Sequence, residues 1–179
     1  MLLADALRDP KVRLCRCDAR VVVSLAGAGS YDVAIDNLAE ASWVGTTGIK
    51  SEAYFRQVHR ILMPAGVLVY KANYANARAA ILAGLAASFR VVREHERGVV
   101  LASDQPVAID PGRVEEVLAW RGPIIGIAAP YADWLIGGLK PVSVEQLGGV
   151  APIRDDLPIY EYSLDPLGAL LGPSFPLSR

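Results

Sequence analysis

Two aspartates are the groups best placed to do chemistry. Asp18 follows the run "VRLCRC", and Asp36 closes the run "YDVAID". If each run is a strand of an open α/β sheet, both carboxylates lie on the rim beyond the carboxyl ends of the strands, where such sheets gather ligands. An ionised carboxylate there can accept hydrogen bonds from a ligand or take a proton from it. Aspartate also favours turns and helix caps, and position alone leaves that reading level with the chemical one.

Other candidates are weaker. The stretch "VVVSLAGAGSYDVAID" holds Gly27-Ala28-Gly29-Ser30, which resembles half of a phosphate loop. A dinucleotide loop needs a helix after its glycines to receive the phosphates. Here Tyr31 opens a strand at once and position 32 is Asp, so a plain helix-to-strand turn is expected. Cys15 and Cys17 stand one residue apart, a spacing that makes poor disulfide partners. With His59 and His95 as the only histidines, the spaced ligand sets of a metal site are missing, and no metal is expected. Ser24, Ser30 and His59 do not form a triad, because His59 falls on the polar face of a helix with nothing to orient it. Tyr131, Trp134, Tyr160 and Tyr162 could cluster around a ligand, but core or cover is the commoner use of aromatics. "REHER" (93–97) reads as a solvated hairpin tip.

The elements that must position the aspartates follow from periodicity. Residues 1–9 read as the end of a helix stopped by Asp9-Pro10. "KVRLCRC" (11–17) alternates like a strand, "RVVVSLA" (20–26) is ambiguous, and "YDVAID" (31–36) reads as a buried strand. "SEAYFRQVHRILM" (51–63) is the clearest helix: Tyr54, Phe55, Val58, Ile61 and Leu62 make its apolar face, Ser51 caps it, and Met63-Pro64-Ala65-Gly66 ends it. A strand, "GVLVYKANY" (66–74), an alanine-rich helix (76–89) and a hairpin turning near Arg97-Gly98 follow. "DPGRVEEVLAW" (110–120) carries Asp and Pro at a helix start. Ser143 and Gln146 form a capping box. The proline-rich tail 151–179 is expected to be extended. The fold class is therefore α/β, a mostly parallel sheet with a closing antiparallel hairpin over 1–110 and a helical and extended appendage over 111–179 packed on the same domain.

Composition narrows the classes of function. The 179 residues are 53% hydrophobic with a net charge of -1, so nothing draws the chain to nucleic acid or an anionic membrane. The longest apolar window, 123–139, is broken by Pro130 and Asp133 and falls short of a membrane span. "MLLADALRD" has no basic start, so no signal peptide is expected, and the cytoplasm is the default location.

Taken in order, "VRLCRCDAR", "YDVAIDN", "EAYFRQVHRILMPAGVLVYKA" and "GVVLAS" resemble the spermidine synthase family, in the C-terminal half of its methyltransferase-like (Rossmann-like) domain. "DDLPIYEY" (155–162) resembles a segment near the end of bacterial spermidine synthase-like proteins, including those fused to membrane transport domains. The likeness spans roughly residues 5–103 and 140–162 and rests on order and spacing rather than on any one motif. It implies an aminopropyltransferase that uses decarboxylated S-adenosylmethionine, or a relative using S-adenosylmethionine, without metal. By position, Asp18 and Ala19 match the acidic turn that holds the adenine. Asp36 matches the acid that helps deprotonate the attacking amine. Asn37 offers a neighbouring hydrogen bond, and Glu40 stands nearest to the family's second, amine-gripping aspartate.

Three departures accompany the likeness. The family's glycine-rich first strand and its second strand would precede this sequence. The second aspartate is replaced in "DNLAEASW". The aromatic loop that closes over the diamine is reduced to "EHERG". Without the upstream strands, the strand ending at Asp36 would present an open apolar edge. A homodimer or a missing N-terminal half is the expected partner, beside a small amine substrate. The alternative is a non-catalytic remnant of the fold acting as a dimeric interaction protein.

Overall fold

The protein is described by a computed structural model covering residues 8–37, 47–71, 77–96, 98–125 and 131–156. Its elements are α1 (Ala19–Leu25), β1 (Tyr31–Asp36), α2 (Glu52–Ile61), β2 (Leu62–Lys71), α3 (Arg78–Ser88), β3 (Val91–His95), β4 (Val99–Ser103), α4 (Pro111–Ile125), α5 (Tyr131–Gly137) and β5 (Leu139–Pro141). They form an open five-stranded α/β sheet in the order β1-β2-β4-β3-β5. β1 and β2 are parallel, and the other three pairings are antiparallel, the β3–β4 hairpin among them. Residues 1–7 of the expected helix over 1–9, Glu40, Tyr160 and Tyr162 lie outside the described residues, and residues 8 and 9 are not helical. Among the described residues, no helix is long and apolar enough to cross a membrane.

One face of the sheet carries the core. α2 turns Tyr54, Phe55, Val58 and Ile61 inward, as three- and four-residue spacing requires. Tyr54, Phe55 and Val58 pack with Leu68 and Tyr70 of β2, Val92 of β3, and Val100 and Ala102 of β4. Alanine-rich α3 buries Ala80 through Leu85. It approaches α2 closely at Gly84, where an added Cβ would lie 3.1 Å from the Phe55 ring. On the other face, Val99 and Leu101 of β4 line a cavity together with Val114 of α4 and Leu135 and Ile136 of α5.

The glycine stretch is a turn. Gly29 takes φ 61°, a left-handed conformation that glycine adopts without penalty. The N–H groups of Gly29 and Ser30 donate to the carbonyls of Arg60 and Ile61 at the end of α2. Arg60 in turn donates to the carbonyls of Val23, Ser24 and Ala26. These donors serve helix ends, which leaves the turn without the free N–H cradle of a phosphate loop.

Several expectations are corrected. "KVRLCRC" is not a strand: residues 11–17 are irregular and exposed. Alternation alone does not make a strand, because its backbone groups also need a neighbour to pair with. Cys15 and Cys17 lie in this exposed segment with Cα atoms 5.4 Å apart. "YDVAID" is a strand but not a buried one: it forms the sheet edge, and only Asp36 is buried. The hairpin tip is not merely solvated, since His95 is 4% exposed. Its ring stacks edge-on against Trp134, and Nε2 lies 3.2 Å from the Trp134 carbonyl. Glu96 accepts from the Trp134 indole, and Glu94 pairs with Arg78. β5, arriving from the C-terminal appendage, pairs with β3 beside this group. The Ser143–Gln146 capping box is present in both directions, at 3.2 and 3.4 Å.

Candidate functional site

The rim at the carboxyl end of β1 gathers the chemistry. Asp36 is the last residue of β1 and is 7% exposed. By strand alternation it points with Ala34 toward α2. The Tyr54 hydroxyl, on the first turn of α2, donates to Asp36 Oδ2 at 3.1 Å. Ser51 fixes that turn: its hydroxyl accepts from the Tyr54 N–H and donates to the Gly48 carbonyl, each at 3.2 Å.

Tyr54 holds its proton strongly. Burial pushes its pKa well above the ordinary phenol range, and the Asp36 charge and hydrogen bond push it further. Arg20 opposes the rise and Asp18 adds to it, so both charges act at the same hydroxyl. The phenol therefore remains a neutral donor to Asp36.

Asp18 does cap a helix. Its Oδ1 accepts from the Arg20 N–H at 2.7 Å, opening α1. The cap reading of Asp18 is the one realised: its carboxylate is exposed at the start of α1, next to half-buried Ala19, and the residues that lead into it, 11–17, form no strand whose rim it could mark. Asn37 follows Asp36 and is exposed. Asp36 and Asn37 therefore stand at the carboxyl end of β1, Asp18 and Ala19 open α1, and Glu40 lies outside the described residues.

Four participants were not singled out from the sequence. Arg20 pairs with Asp155 and lies against Gly48, where any side chain would collide with its guanidinium. Burial raises the Asp155 pKa, but hydrogen bonds from Arg20 and Ser51 and the Arg20 charge outweigh it and hold the carboxyl below its usual range. Lys50, fully buried, immediately precedes the Ser51 cap. Asp155 could have been found, since it opens "DDLPIYEY". Tyr54 was visible only as an apolar helix position, because periodicity reports a face and not what its hydroxyl meets.

Other constellations lie elsewhere. His59 is positioned after all: Nε2 is 2.8 Å from Asp104 Oδ2 and the ring stacks on Phe89. This is a surface pair with no nucleophile beside it. Two cavities of about 280 Å³ each meet at His95, against β3 and β5, across the sheet from Asp36. Among the described residues, no group of three or more His, Cys, Asp or Glu side chains could hold a metal ion.

No family model matches the chain, and no curated protein does. Among solved structures, it is similar to the crystal structure of a probable spermidine synthase from Corynebacterium glutamicum ATCC 13032. The two share 21% identity with a TM-score of 0.52. The match covers 82% of this chain and 55% of that one, so the chain spans about half the length of its neighbour. The fold is thus spermidine synthase-like, an open sheet of the methyltransferase-like type.

Proposed function

We propose that this rim belongs to an aminopropyltransferase-type site acting on decarboxylated S-adenosylmethionine and an amine. The reading rests mainly on one observation: buried Asp36, held by the Tyr54 hydroxyl, stands at the carboxyl end of β1. The exposed Asp18 turn with Ala19 suits an exocyclic amine of adenine. The Asp36 carboxylate suits an ammonium group, which it pairs with and deprotonates. The freed nitrogen lone pair attacks the methylene carbon bound to the sulfonium. An N–C bond forms, the C–S bond breaks, and its electron pair stays on the sulfur of methylthioadenosine. The Tyr54 hydroxyl keeps the Asp36 carboxylate fixed in orientation through Oδ2.

The test is release of methylthioadenosine from decarboxylated S-adenosylmethionine and a linear diamine. Asp36→Asn should lower the rate by about 100-fold or more, the usual scale of a lost general base. Tyr54→Phe should cost less, about tenfold, the worth of one positioning hydrogen bond to a charged group. No release from the unaltered protein contradicts the proposal.

A second reading, the non-catalytic dimeric remnant, draws on a different observation. At the hairpin tip, where the family's diamine loop would stand, Glu94, His95 and Glu96 are engaged by Arg78 and Trp134. A tip committed to packing is poorly suited to close over a substrate. Failure of the transfer assay together with a stable dimer would favour this reading.

A further inference from the structure

We infer that Arg20 and Asp155 form a latch that fixes where the Asp18 turn stands relative to Asp36, so that a carboxylate 135 residues further along the chain positions the nucleoside end of the site. The latch itself is independent of the transferase reading, and its consequence for the site rests on it. α1 needs such a tie. It has seven residues, and none of them is buried; Val23, half-buried, leans on the core. A helix this short gains too little from its own hydrogen bonds to hold a position in water. α2, by contrast, is anchored through Tyr54, Phe55, Val58 and Ile61.

Polar ties hold α1 at both ends. At its far end, the Arg60 guanidinium donates to the carbonyls of Val23, Ser24 and Ala26. At its start, the Arg20 guanidinium donates to Asp155 Oδ2. Asp155 is held in turn. Two residues before it, Ile153 is 2% exposed and belongs to the core, and its carbonyl accepts from the Glu52 N–H at 3.0 Å. This segment is thus fastened to the first turn of α2, and Arg20 fastens α1 to the segment. The guanidinium also lies over Gly48, where a Cβ would stand 2.6 Å from one of its terminal nitrogens. The Gly48 carbonyl accepts from the Ser51 hydroxyl, which accepts from the Tyr54 N–H, and the Tyr54 hydroxyl holds Asp36. Hydrogen bonds and one packing contact therefore link the Asp18 turn to the Asp36 carboxylate without a break.

The latch acts on binding more than on chemistry. Loosening it moves α1, which carries Asp18 and Ala19, and leaves Asp36 and Tyr54 in place on the core. Arg20 and Asp155 are positioning residues, acting through α1. Their side chains are 32% and 39% exposed, so solvent and salt screen the pair and its effect is modest. Gly48 gives a way to open the latch without removing a charge. Its backbone is not left-handed, so alanine fits there, and the added methyl displaces only the end of a flexible side chain.

Asp155→Asn, Arg20→Gln and Gly48→Ala should each speed hydrogen exchange of the Val22 amide, which closes the first turn of α1 on the Asp18 carbonyl. The expected change is about fivefold, the scale of a partly exposed ion pair. The Phe55 amide of α2, bound to the Ser51 carbonyl, should be unchanged. Arg20→Gln combined with Asp155→Asn should go no further than either alone, since both open the same tie. In the methylthioadenosine assay, the three single variants should raise KM for decarboxylated S-adenosylmethionine about fivefold, with kcat within about twofold of wild type. Arg154→Gln, which breaks the neighbouring pair with Asp156, should change neither readout. Unaltered Val22 exchange in Asp155→Asn and Gly48→Ala overturns the latch. Faster exchange with KM unmoved overturns its role in the site. Faster exchange in a protein that releases no methylthioadenosine supports the latch and counts against the transferase reading alone.

Discussion

At the scale of single residues, the protein turns on which carboxylates find donors. Asp36 finds Tyr54, Asp155 finds Arg20 and Ser51, and Asp104 finds His59. Asp104 offers a test apart from the proposed site. The His59 hydrogen bond is the main cause that lowers its pKa, ahead of an opposing effect of burial. A carboxyl depressed in the folded state stabilises the fold above its unfolded pKa, about 3.9, and that contribution is lost as pH falls through the folded value. Thermal melts from pH 6 to pH 2 should therefore show wild type above Asp104→Asn near neutrality, with the gap closing below about pH 4. The gap should not exceed about 1 kcal/mol, since both side chains are partly exposed and solvent screens the pair. A gap independent of pH would contradict the assignment. Asp36 was legible because a strand end on a sheet rim is, whereas Asp18 was placed after a strand that does not form and instead caps a helix. Sequence reading missed the pairs, because Asp104 lies 45 residues from His59 and Asp155 lies 135 from Arg20.

At the scale of elements, α2 does the positioning. Its apolar spacing and its cap were plain in the sequence, and both are present. Ser51 is fully buried, and its hydroxyl accepts from the Tyr54 N–H and donates to the Gly48 carbonyl. Ser51→Ala should cost roughly 1–2 kcal/mol, toward the upper range for a lost cap. The melting temperature should then fall by about 2–4 °C per kcal/mol. An unchanged melt would mean that the cap contributes nothing to this helix. Elements that need a distant neighbour were less legible. Residues 11–17 had the alternation of a strand but are not in the sheet. β1 had the composition of a central strand but forms an edge. His95 looked like a charged tip and is buried because β5 and Trp134 come from more than 35 residues downstream.

At the scale of the whole molecule, the β1 edge sets two features. The open flank of β1 accounts for the exposed Val33 and Ile35, and the rim that carries Asp36 stands at its carboxyl end. The order of segments was enough to anticipate a methyltransferase-like sheet and an open apolar edge at the strand of Asp36.

The central claim is that Asp18 and Asp36 bracket one nucleoside site while doing different work in it. Calorimetric titration of decarboxylated S-adenosylmethionine into three proteins separates the two roles. Asp18→Asn keeps the helix cap, since its amide oxygen can still accept from Arg20, but it turns an NH₂ toward the ligand. Binding should be measurable in wild type, weaker by about tenfold or more in Asp18→Asn, the scale of a lost hydrogen bond to a charged group, and little changed in Asp36→Asn. No heat from wild type, or equal affinity in wild type and Asp18→Asn, would contradict the account.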